Sequence, residues 1–131
     1  MKFFFDHNLS PYIARAISCL LEPDGSRAVA LADKFPRAAS DEEWISALSR
    51  ESEWVVLTSD YDIVRRAALR ATFKASGLIG FVLRPAWQDF APMEQAWRLI
   101  KQWPTITAQC AIAAPGSTYE LGIRGGKIRT L

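Results

Sequence analysis

Residues 54–62 read WVVLTSDYD, a buried strand that runs straight into acidic residues. Trp54 to Thr58 are apolar or β-branched without interruption, which marks a strand buried on both faces. Ser59, Asp60, Tyr61 and Asp62 follow at once, so two carboxylates stand just beyond the carboxyl end of that strand.

The same arrangement occurs at the start of the chain. Residues 2–5, KFFF, are an apolar run, and Asp6 ends it. Ser10-Pro11 opens a helix, because Ser accepts from free backbone N–H groups and Pro suits the first helical position. Ile13, Ile17, Leu20 and Leu21 repeat at helical spacing, Cys19 is expected as a buried thiol, and Pro23 with Gly25 stops the helix. Residues 27–32, RAVALA, read as a second strand, and 33–39 as a loop. Ser40 to Glu43 form a capping box for a helix carrying Trp44, Ile45, Ala47 and Leu48.

Beyond residue 62 the pattern predicts a helix over 62–75 and a strand at 78–83. An amphipathic helix over 89–103, through Phe90, Met93, Trp97 and Ile100, is closed by Pro104. Residues 108–130 hold short strand-like pieces at AQCAIAA, YELGI and KIRTL, with turns at Pro115-Gly116 and Gly125-Gly126. The alternation of strands and helices argues for one α/β domain, a parallel sheet with helices on both faces. Trp44, Trp54 and Trp97 are expected in the core, while Trp87 and Trp103 are left open.

Charge is unevenly placed. Residues 1–62 carry 6 Lys/Arg and 11 Asp/Glu, a net of −5; residues 63–131 carry 10 and 3, a net of +7. An acidic site beside a basic surface suits a metal enzyme acting on a polyanion. A basic face toward an acidic protein is the other reading. No stretch approaches membrane-spanning length, and two distant cysteines suggest a reducing, cytoplasmic setting. One His and two separated Cys lack zinc-site spacing.

In open parallel sheets ligands bind outside the carboxyl ends of the strands. Asp6 and Asp60 stand at such ends, Asp62 lies two residues on, and Asp41 opens a helix on the same expected side. Clustered carboxylates repel one another unless a cation joins them, and hard oxygen ligands suit Mg²⁺ or Mn²⁺. Each acid also has a local reading: Asp41 answers the helix dipole, Asp60 or Asp62 caps the next helix, and Asp6-His7-Asn8 is a turn. A phosphoreceiver or a D-x-D phosphatase would need an acidic pair after the first strand, where this chain has Asp6-His7-Asn8.

Taken together, FFFDHNLSP, ASDEEWISAL and VVLTSDYDI resemble the PIN-like domain family, near its Mut7-C and VapC-type toxin-like members. The resemblance implies a three-layer α/β/α fold with a mostly parallel sheet, here with residues 108–131 as a short C-terminal β-hairpin extension. It implies a Mg²⁺- or Mn²⁺-dependent ribonuclease, the toxin of a bacterial type II toxin–antitoxin pair. RNA, a cognate antitoxin and a second copy of the chain are the partners it suggests.

Matched position by position, Asp6, Asp41 and Asp60 are the catalytic acids and metal ligands. Asp62 is a further ligand, and Asn8 belongs to the first motif. Typical PIN nucleases also carry a Glu on an early helix; Glu22, Asp33 and Glu42 are candidates, with Glu42 favoured beside Asp41. Arg65, Arg66 and Arg70 follow the Asp60–Asp62 segment and are expected to contact substrate phosphates. The alternative is a PIN-like module that binds RNA or protein without cutting.

Overall fold

The computed structural model describes residues 1–131. Strand β1 (Lys2–Phe5) leads into helix α1 (Pro11–Leu21), then β2 (Arg27–Ala30), a single turn α2 (Leu31–Lys34) and α3 (Asp41–Glu51). Next come β3 (Trp54–Thr58), α4 (Asp62–Arg65), α5 (Ala67–Ser76), β4 (Ile79–Leu83), α6 (Pro92–Ile112), β5 (Thr118–Leu121) and β6 (Arg129–Thr130). The six strands form one sheet in the order β2-β1-β3-β4-β5-β6. All pairings are parallel except β5 with β6.

The pleat divides the core. Phe3, Phe5, Val55, Leu57, Phe81 and Leu83 face one way and pack with Ile13, Ile17, Leu99 and Ile106 of α1 and α6. Phe4, Val56 and Val82 face the other way, against Trp44, Ile45 and Leu48 of α3 and Leu69 and Phe73 of α5. Successive strand residues point to opposite faces, so unbroken runs such as FFF fit only a sheet covered on both sides. Ser10 caps α1 by accepting from the Tyr12 N–H at 3.2 Å, with Pro11 in the first turn. Ser40 caps α3 through the Glu43 N–H at 3.2 Å.

Several local expectations are corrected. Strand β2 ends at Ala30, where Leu31 turns into α2. The helix expected over 62–75 breaks at Arg66, whose backbone is extended (φ −81°, ψ 111°). Helix α6 runs through Pro104 to Ile112, so AQCAIAA begins as helix rather than strand. Proline removes one helical hydrogen bond; burial of Ile106 and Cys110 on the turns beyond offsets that loss.

The buried side of α6 is also not the expected one. It consists of Gln95, Leu99, Gln102, Ile106 and Cys110, while Met93, Trp97 and Ile100 are exposed. Two buried glutamines disguise the inner face. Gln95 Nε2 donates to the carbonyls of Trp87 (2.6 Å) and Phe90 (3.1 Å), and Gln102 Nε2 to those of Gly122 (3.0 Å) and Ile123 (3.3 Å). Trp97 is therefore not a core residue, whereas Trp44, Trp54 and Trp87 are. Cys19 is exposed, because the buried face of α1 is Ile13, Ala14, Ile17 and Leu21.

The last part of the chain is built into the sheet. Strand β5 pairs with β4 in parallel, and β6 returns antiparallel to β5. Gly116 makes the entry to β5: its φ is +82° and a Cβ there would collide with the Lys74 carbonyl. No helix is long and apolar enough to cross a membrane.

Candidate active site

Asp6 is the first residue past β1. Its N–H still donates to the Leu57 carbonyl at 3.0 Å, extending the ladder and setting its side chain beside the end of β3. The residue is 1% exposed. Burying a carboxylate is costly unless its oxygens are hydrogen-bonded, and here they are. Oδ1 accepts from the His7 N–H at 2.7 Å and lies 2.9 Å from His7 Nδ1; Oδ2 accepts from the Thr58 hydroxyl at 2.8 Å.

Thr58 is the hub of the site. Its Oγ1 also accepts from the Asp60 N–H at 3.0 Å and from Asn8 Nδ2 at 3.4 Å. Asn8 Oδ1 in turn accepts from the Ser59 N–H at 3.0 Å. The loops after β1 and β3 are thereby locked together. Gln88, beyond β4, joins them by donating to Ser59 Oγ at 2.7 Å. Nothing in the local pattern beyond a Thr two residues before Asp60 at a strand end marks Thr58 for this role.

Asp60 Oδ1 accepts from the Asp62 N–H at 2.9 Å. It therefore closes the turn into α4 as well as facing the site. Asp62 is exposed and contributes its backbone N–H to that turn.

Asp41 stands on the first turn of α3. Trp44, fully buried, donates from Nε1 to Asp41 Oδ1 at 3.1 Å and fixes it. The Asp41 carboxyl is raised above the ordinary carboxylate range, first by burial and next by the charge of Asp6. Asp60 and Glu42 push it further the same way, and the Trp44 bond partly opposes them. Asp41 thus lies within electrostatic reach of Asp6 and Asp60, which follow the carboxyl ends of β1 and β3.

Of the candidates for an additional acid, Glu42 borders this region and pairs with Arg66 at 2.7 Å. Asp33 is held by Arg15 at 2.7 Å, and Glu22 is exposed in the turn that ends α1. Arg65, Arg66 and Arg70 each have a partner within the chain. Besides the Arg66–Glu42 pair, the Arg65 guanidinium lies 4.5 Å from the Tyr61 ring centroid, and Arg70 donates to the Val64 carbonyl at 3.2 Å. Tyr61 donates to Glu120 of β5 at 2.8 Å. Its phenol is pushed up to about 12, first by burial and then by that bond and charge.

Carboxylate oxygens suit a hard divalent cation in donor chemistry. As the side chains stand, no three His, Cys, Asp or Glu groups are close enough to hold a metal ion. Beside Asp6 a cleft of ≈480 Å³ opens, walled by Leu9, Ala30, Leu31 and Phe35, with Arg37 on its lining.

A family model described as PIN like domain matches residues 1–85. Those residues include Asp6, Asp41 and Asp60 and stop short of α6, β5 and β6. No curated protein and no solved structure matches the chain.

Proposed function

The chain belongs to the PIN-like domain family, a nuclease-type fold, and on that premise we propose that it is a metal-dependent endoribonuclease serving as the toxin of a type II toxin–antitoxin pair. One observation carries the reading: the Asp41 carboxyl is raised above the ordinary carboxylate range, first by burial and then by the negative charges of Asp6 and Asp60. Repulsion of that kind is relieved by a divalent cation.

Asp6, Asp41 and Asp60 are the residues that would hold Mg²⁺ or Mn²⁺, with Glu42 and Asp62 at the margin. The bound ion would polarise a phosphodiester and lower the pKa of a water. Asp6 is the fixed member, gripped by Thr58 and by the backbone of His7. Asn8 and Thr58 tie the loop after β1 to the loop after β3. Arg65, Arg66 and Arg70 flank the acids as phosphate contacts; Arg66 would have to exchange Glu42 for the substrate.

The test is cleavage of single-stranded RNA by the purified chain with Mn²⁺, stopped by EDTA. Asp60→Asn should abolish it while the fold persists, because an amide oxygen still accepts the Asp62 N–H. Wild-type cleavage by that variant would sink the assignment. A second reading, a PIN-like module that binds RNA or protein without cutting, is favoured by the open spacing of the carboxylates. Metal-independent RNA binding with no cleavage would select it.

A further inference from the structure

Between α6 and the β5–β6 connection lies a groove of ≈160 Å³, lined by Trp97, Lys101, Thr105, Arg124 and the turn Gly125-Gly126 among others. It lies outside the residues that define the family. Its floor is rigid. Gln102 donates to the carbonyls of Gly122 and Ile123, and Arg98 reaches the Ile123 carbonyl at 3.4 Å.

Two features of the lining point to one ligand chemistry. Lys101 and Arg124 are exposed, and neither forms a salt bridge; the nearby Arg98 is neutralised by Glu94 at 3.0 Å. Trp97 is 47% exposed, with the Arg98 guanidinium 4.5 Å from its ring centroid. A half-exposed indole lining the same groove as two cations without salt bridges matches a strand carrying both phosphates and flat bases.

The groove is connected to the carboxylates along the sheet edge. Tyr61, next to Asp60, bonds Glu120; Glu120 lies 3.9 Å from Arg84. The Arg84 N–H donates to the Leu121 carbonyl at 3.1 Å, and its side chain borders Gly122, two residues before Arg124. Arg84 is itself largely exposed, so cations continue from the site to the groove. Near the site Arg66 is paired with Glu42 and Arg84 with Glu120, whereas Lys101 and Arg124 form no salt bridge.

We propose that single-stranded RNA leaves the carboxylate site along the carboxyl edge of the sheet and seats in this groove, with phosphates on Lys101 and Arg124 and a base stacked on Trp97. The choice of RNA as ligand rests on the nuclease reading, but the binding does not require cleavage.

The experiment measures binding of a fluorescent single-stranded oligoribonucleotide to the full chain in EDTA, over a salt series. The double variant Lys101→Ala/Arg124→Ala should bind at least about tenfold more weakly. Its plot of log affinity against log salt should be shallower by roughly 1.4, from about 0.7 per lost phosphate contact on a single strand. Trp97→Ala should weaken binding and lose part of the tryptophan quenching that RNA causes, with an unchanged salt slope. Polyglutamate of equal charge should compete poorly and quench little.

Unchanged affinity and slope in the double variant would overturn the proposal. Equal competition by polyglutamate would also overturn it, in favour of an acidic polypeptide partner. Circular dichroism of each variant confirms folding, as all three side chains are on the surface. If binding behaves as described while Mn²⁺ elicits no cleavage, the groove stands and the nuclease reading falls.

Discussion

The hydroxyl of Thr58 donates to Oδ2 of Asp6 across 2.8 Å, joining the ends of two adjacent parallel strands through a fully buried bond. The same oxygen receives the Asp60 N–H, so one β-branched side chain sets the positions of two acids.

Thr58→Val keeps the shape and removes the hydroxyl. A hydrogen bond to a charged, buried acceptor contributes about 1.5–3 kcal/mol, so urea denaturation should show a loss of that order. Thr58→Ser should restore most of it. Equal stability of Thr58→Val and wild type would show that the bond does not hold the site together.

Asp41 gives a pH signature. Its folded carboxyl is raised above the ordinary value of 3.8, foremost by burial and then by Asp6. The native state therefore binds this proton more tightly than the unfolded chain, and stability contributed by Asp41 falls as pH rises through that window. The penalty is absent below the unfolded value and fully present above the folded one. In EDTA, Asp41→Asn should be more stable than wild type at neutral pH, with the difference vanishing as pH drops toward about 4. Thermal melts across that range read it directly; a difference that grows on acidification would contradict the sign.

Gly116 has a positive φ and no room for a Cβ beside the Lys74 carbonyl. Gly116→Ala should destabilise by about 1–3 kcal/mol. The loss should fall on β5, whose entry this turn sets, and hydrogen exchange of the Tyr119 and Leu121 amides would locate it there. Protection equal to wild type would refute the prediction.

Ser52 sits at φ 61°, ψ 162°, directly after α3, in a region that suits glycine. Ser52→Gly should stabilise the chain by up to about 1 kcal/mol, since relief of strain is offset by greater freedom of the unfolded backbone. The readout is the denaturation midpoint, and a clear drop would count against strain at this position.

The layered sheet and two of its acids are legible in local patterning along the chain. FFF and WVVLT are apolar throughout, a local pattern that only a doubly covered strand satisfies, and the Asp residues that end them inherit their place from the strands. Ser10-Pro11 and Ser40 likewise act within a single turn of chain. The remaining features depend on contacts between segments far apart in the chain. Gln95 and Gln102 face inward because backbone carbonyls distant in sequence accept their amides, which turns the apolar stripe of Met93, Trp97 and Ile100 outward. Packing of Ile106 and Cys110 carries α6 past Pro104. Asp41 meets the fields of Asp6 and Asp60 only because α3 packs through Trp44 and Leu48 on the face that also buries Phe4 and Val56. Local patterning reports which side of an element is apolar; which polar groups meet depends on partners supplied by other elements, and those are fixed only when the chain closes on itself.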